Sequence, residues 1–116
     1  MGVIDIEQIR QSTSGDEAIM LDLITMGLER IDSARSEIEG ALAGEDWDAL
    51  ARIVHKLRPV LHFVGLVSLE DVLAAIEKNA KEKTNLAQVK EKLTEIFDIF
   101  ETAKKELVEI KNSLQK

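Results

Sequence analysis

Leu86, Val89, Leu93, Ile96, Phe100, Ala103, Leu107, Ile110 and Leu114 follow one another in alternating steps of three and four. That repeat draws an apolar seam along one side of an α-helix, and no strand can present it, because strand side chains alternate with period two. At ~1.5 Å per residue, such a helix is roughly 43 Å long. Its seam has to be covered, by other helices of the same chain or by a second copy. If the other helices are shorter, the last turns overshoot them and are left for a weak homodimer contact. The alternative is a long bundle helix with a frayed end.

The rest of the chain divides into helices at its turn residues. Ser14-Gly15-Asp16-Glu17 has the form of a capping box, with Ser14 as the cap. After it, Leu21, Ile24, Leu28, Ile31, Ile38 and Leu42 recur at helical spacing to about Ala43, and Gly44 stops the helix. Asp46 is placed to cap a second helix, Trp47 to about Phe63, which closes near Gly65. Ser68 starts a third, Leu69 to about Lys81, and Asn85 caps the last. A short amphipathic piece at Ile4–Ile9 is expected to fold over one end. No segment alternates over a strand's length. The fold class is therefore all-α: an antiparallel four-helix bundle with a short N-terminal helix, in a single domain of 116 residues.

Composition removes several function classes. Fifteen Lys+Arg stand against 22 Asp+Glu, a net charge of −7, which argues against nucleic acid, whose phosphates demand clustered cations. Zero Cys excludes disulfides, Cys-based zinc sites and thiol nucleophiles. The first residues lack a basic stretch followed by an apolar one, and no segment approaches the ~20 apolar residues of a membrane span. A cytoplasmic chain without membrane contact is the expectation.

Both histidines and the only proline fall between positions 55 and 62, inside the second helix. At ~100° per residue, Leu50, Val54, Leu57, Leu61 and Val64 share one face, bordered by Trp47 and Ile53. Asp48, His55, Pro59 and His62 fall on another stripe, flanked by Arg52 and Arg58, so both imidazoles are expected to reach solvent. His55 and His62 are seven residues apart, roughly 10.5 Å along the helix, too far to share one metal ion. We therefore expect no metal site. Acid–base or nucleophilic catalysis lacks a serine elbow and a pocket. The remaining reading is a surface imidazole that accepts a phosphoryl group, with Lys56, Arg58 and Arg52 to steady the phosphoryl oxygens.

The string Val54-His55-Lys56-Leu57-Arg58-Pro59, with Gly65 ten positions after the histidine, resembles the histidine-containing phosphotransfer (HPt) domain. That family's signature is an apolar residue, His, any residue, Leu, Lys, Gly, then a second Gly. Ala41-Leu42-Ala43-Gly44-Glu45-Asp46 looks like the family's lead-in. The resemblance spans roughly residues 16 to 111 and implies a four-helix bundle. It makes His55 the phosphoacceptor, puts Arg58 where the family usually has Lys, and gives Gly65 the role of ending the helix. Glu77, twenty-two residues on, stands where phosphotransfer domains of chemotaxis-type kinases carry a Glu that hydrogen-bonds the imidazole. Such a bond at Nδ1 leaves Nε2 as nucleophile. The other reading of Glu77 is an exposed helix residue pairing with Lys81 at i+4.

Pro59 departs from the family, which most often has Gly there. A proline within a helix removes the amide that would bond the His55 carbonyl, and tends to kink the helix. Its small apolar ring suits a docking face, where His62 is either a further contact or a bystander. By resemblance the chain is a phosphorelay carrier without an ATP site or cofactor of its own. Its partners would be response-regulator receiver domains, which hold the Mg²⁺, and a hybrid sensor kinase. Two rivals from other classes are an acidic interaction module that docks without transfer, and an enzyme using His55 as an acid or base.

Overall fold

The computed structural model describes residues 2–115. It contains five α-helices: α1 (Ile6–Thr13), α2 (Glu17–Ala43), α3 (Trp47–Phe63), α4 (Glu70–Glu82) and α5 (Leu86–Leu114). A 3-10 turn, Val67–Leu69, precedes α4. Helices α2 to α5 form the bundle. Each packs on its neighbour in sequence, and α5 closes the ring against α2. The pairs Arg35–Glu101 and Asp32–Lys104 step forward on α2 and back on α5, which gives those helices their antiparallel register.

Three aspartates cap helices as short acceptors beside the positive ends of helix dipoles. Asp5 accepts from the amides of Glu7 and Gln8, Asp16 from Ile19 and Asp46 from Ala49. The capping-box expectation is corrected here: Ser14 ends α1 in the left-handed region, φ 53°, and Asp16 takes the cap of α2. Gly15, φ 75°, completes the turn between them. Ser68 is not a cap either. The 3-10 turn feeds α4 directly, and Glu70 and Asp71 place the negative charge in its first turn. Asn85 occupies the cap position of α5, but its side chain donates to Asn79 Oδ1 and accepts from none of the helix amides.

The core holds Ile24, Ile31 and Ile38 of α2, the predicted stripe of α3, Leu73 and Ile76 of α4, and the α5 seam from Val89 to Leu107. On α2 the buried stripe lies one residue from the predicted one at several turns: Met20, Gly27, Ala34 and Ala41 are buried, whereas Leu21, Leu28 and Leu42 are half-buried. Small residues let the next helix approach closely. A β-carbon on Gly27 would lie 2.6 Å from Val64 Cγ1, so the C-terminal end of α3 rests on that gap.

The overshoot of α5 does not occur. With 27 residues, α2 is nearly as long as the 29-residue α5, and α1 lies across the far end, where Ile6 and Met20 share a cleft with Ile110 and Leu114. The expected N-terminal piece starts and ends later than Ile4–Ile9 and buries Ile9 and Thr13. Ahead of it, the Glu106 carboxylate of α5 accepts from the amides of Val3 and Ile4 at 2.9–3.0 Å. Val108 is the one strongly exposed large apolar side chain on α5 among the described residues.

Candidate functional site

Helices α3 and α4 are the most intimately packed pair, and their facing edges carry the chemistry. On α3 the core stripe is buried as the spacing requires, which turns His55 outward with its side chain 70% exposed. Opposite it, Glu77 of α4 is only 7% exposed, and with Thr13 it is one of two buried polar residues among the described ones.

A buried carboxylate needs partners, and Glu77 has three. His55 Nδ1 lies 3.1 Å from Oε2 and 3.2 Å from Oε1. Arg58 Nη1 donates to Oε1 at 3.0 Å, and Lys81 Nζ sits 3.3 Å from Oε2. Burial pushes the Glu77 carboxyl up, but the hydrogen bonds from Arg58 and Lys81, together with the charge and bond of His55, outweigh it and hold the group below its ordinary value. Glu77 thus bonds the imidazole and pairs with Lys81, and it is buried where an exposed helix residue was the other expectation.

An ionised carboxylate only accepts, so the proton of a neutral His55 resides on Nδ1. The lone pair is then on Nε2, at the other edge of an exposed ring. This arrangement offers a fixed nucleophilic nitrogen to whatever approaches, and the carboxylate counters the positive charge the ring acquires when Nε2 forms a bond.

His62 repeats the pairing two turns further on. Seven residues forward on α3 correspond to seven back on α4, and His62 Nδ1 pairs with the Glu70 carboxylate. Both groups are much more exposed than Glu77, at 40% and 48%. Pro59 lies between the histidines, exposed, and α3 remains helical through it to Phe63. His55, Pro59, His62 and Phe63 of α3, with Glu70 and Ala74 of α4, line an open groove of about 590 Å³. Phe63, 48% exposed, meets the His62 ring edge-on at 5.9 Å.

Arg52 and Lys56 are exposed and form no salt bridge among the described residues. They share a smaller cleft of about 180 Å³ with Ala51, His55 and Lys81. Of the predicted cations only Arg58 is engaged, and its partner is the buried carboxylate.

Gly65 ends α3 in a Schellman turn: its amide donates to the His62 carbonyl at 3.1 Å and the Leu66 amide to that of Leu61 at 2.9 Å. Its φ of 85° favours glycine, and any β-carbon would lie 2.4 Å from the Asp5 carbonyl oxygen. Asp5 also donates its amide to the Gly65 carbonyl at 2.7 Å. The glycine is therefore required twice, by the turn and by the chain entering α1.

Among the described residues, no three His, Asp or Glu side chains converge as metal ligands. Nor, among the described residues, is any helix long and apolar enough to cross a membrane. Phe63 and Glu70 were not singled out from the sequence. For Phe63 the signal existed, because eight residues after His55 is a position on the same side of the helix; Glu70 needed the register of α4 against α3.

The site is thus an exposed imidazole held at Nδ1 by a buried carboxylate, on the second helix of a four-helix bundle. The sequence profile of the Hpt domain matches residues 22–115, and the chain belongs to that family, whose members are phosphotransfer modules of two-component systems. Over 107 residues, 92% of its length, the chain is 22% identical to the signal transduction histidine-protein kinase BarA of Shigella flexneri. The BarA proteins of Escherichia coli K12 and O157:H7 match to the same extent. The matched region is 12% of each of those kinases. No solved structure matches significantly.

Proposed function

We propose that this chain is a phosphorelay intermediate with His55 as its phosphoacceptor. The observation that carries this reading is the Glu77 carboxylate at Nδ1 with the ring exposed beyond it. The Nε2 lone pair attacks the phosphorus of a receiver domain's aspartyl phosphate. The bond from phosphorus to the aspartyl oxygen breaks, and its electron pair stays on the aspartate as carboxylate. Nδ1 keeps its proton, so the phosphorylated ring is cationic and faces Glu77. In the onward step another receiver's carboxylate attacks the phosphorus and the N–P pair returns to Nε2. No proton has to leave the chain in either direction.

Arg58, Lys56 and Arg52 supply positive charge for the phosphoryl oxygens, with Arg58 dividing its donors between the phosphoryl group and Glu77. Pro59, His62 and Phe63 form the docking surface, in a groove of mixed polar and apolar side chains running from the acceptor toward the end of α3. The partners are response-regulator receiver domains, whose own acidic residues hold the Mg²⁺, and a sensor kinase of the hybrid type. A cytoplasmic location belongs to the same reading. The rival is a degenerate member that docks without transfer, since Pro59 replaces the usual glycine.

Incubation with a receiver domain phosphorylated on its aspartate, followed by tracing of labelled phosphate, separates the two. The relay reading expects acid-labile, alkali-stable label on this chain that is lost in His55→Gln. A wild-type chain that stays unlabelled with every receiver it binds would be the interaction module.

A further inference from the structure

The two oxygens of Glu77 divide the cations around His55 between two sides. Oε1 takes Arg58 of α3, and Oε2 takes Lys81 of α4. Arg58 is the less free of the two, a planar guanidinium 38% exposed against the bundle. Lys81 is 63% exposed and ends in a compact ammonium on a flexible stem. The same Oε2 lies 3.1 Å from His55 Nδ1, so the ammonium and the imidazole share one carboxylate oxygen and line the same small cleft. Position 51, one turn before His55, is a buried alanine that also lines this cleft.

We propose that Lys81 is a second phosphoryl-binding cation, which moves from Glu77 onto the phosphoryl oxygens when His55 is modified. This rests on the relay reading above. Phosphorylation brings about −1.5 to −2 units of charge to the edge of the ring. It also makes the ring cationic, so His55 becomes the stronger partner of Glu77 and Lys81 is no longer needed there. An exposed ammonium costs little to redirect, whereas Arg58 still shields a buried oxygen. The phosphoryl group is then held from both helices: by Arg58 on α3, and by Lys81 on α4 across the cleft it shares with Arg52 and Lys56.

The test is the phosphotransfer equilibrium between a labelled receiver domain and the wild-type, Lys81→Met and Lys81→Arg chains, together with the ¹⁵N imidazole spectrum of unphosphorylated His55. Lys81→Met is expected to shift label about three- to tenfold toward the receiver, less at high salt, with Lys81→Arg restoring most of it. The unphosphorylated imidazole spectrum is expected to stay as in wild type. An unchanged equilibrium in Lys81→Met overturns the inference alone. A shift accompanied by loss of the Nδ1–H signature also overturns it, because Lys81 would then act only by holding Glu77. An unlabelled wild-type chain overturns the relay reading and this inference with it.

Discussion

Arg58 reaches across from α3 to donate to Glu77 at 3.0 Å, so the arginine three residues after His55 shields the carboxylate bonded to the His55 imidazole. Its positive charge stays next to His55, but in the unmodified chain that charge is committed to a buried anion. Arg58 therefore links the stability of the bundle to the chemistry of its surface.

Truncating Arg58 leaves the buried carboxylate one donor short. Arg58→Ala is expected to lower stability by about 1–2 kcal/mol, measured by urea unfolding, because unpaired buried groups bear their desolvation cost. The double variant Arg58→Ala with Glu77→Ala should be less destabilised than the two single effects added together, since the anion that needed the arginine is gone. Strict additivity would mean that the two side chains do not interact.

The lowered pKa of Glu77 makes that contribution pH-dependent with a definite sign. A group whose folded pKa is depressed stabilises the fold fully above its unfolded value, here taken as 4.5, and loses that stabilisation as pH falls through the folded value. The stability gap between wild type and Glu77→Gln is therefore expected to be constant near neutrality and to shrink steadily below about pH 4.5. Urea midpoints between pH 7 and pH 3 measure it. A gap that widened on acidification would mean that burial, and not the three donors, governs the carboxyl.

Glu45 carries a cost that glycine would remove. It sits in the left-handed region at φ 51°, where the turn after α2 needs it: its amide donates to Leu42 and the next amide, from Asp46, to Ala41. The spacing placed the helix stop at Gly44, and the stop is there, but the strained position falls one residue later. Glu45→Gly is expected to raise stability by about 0.5–1 kcal/mol, read from the thermal midpoint, with no effect on His55.

Gly44 and Glu45 mark what was legible and what was not. The α5 seam, the core stripe of α3 and the Asp46 cap could be read directly, because each is a local pattern of side chains on one helix. The starts of two helices lie off the expected residues, α2 capped by Asp16 instead of Ser14 and α4 entered without a side-chain cap instead of through Ser68, because the backbone turn decides which of the adjacent Ser, Asp and Glu can cap. Around the site, the outward face of His55 and the helix end at Gly65 were readable from spacing along one helix, while their roles were implied by the family resemblance alone. The burial of Glu77 and the pairing of His62 with Glu70 were not, because both depend on how α4 slides along α3, a register set by core packing between helices.

That register also predicts how the two histidines will differ. Each has a glutamate at Nδ1, but Glu77 is buried beneath three donors, whereas Glu70 is half exposed and its pairing with His62 is open to solvent and weakened by it. His62→Gln is therefore expected to accept label to the wild-type plateau, while His55→Gln accepts none. Phe63 sits beside His62 at the groove's far end, and under the relay reading it bears on docking, not on chemistry. Phe63→Ser is expected to raise the receiver concentration for half-maximal transfer about five- to thirtyfold, as loss of an interface aromatic does, with the rate at saturation unchanged. Its stability should stay within about 0.5 kcal/mol of wild type, because the ring is half exposed. A fall in the saturated rate instead would place Phe63 in the positioning of the phosphoryl group.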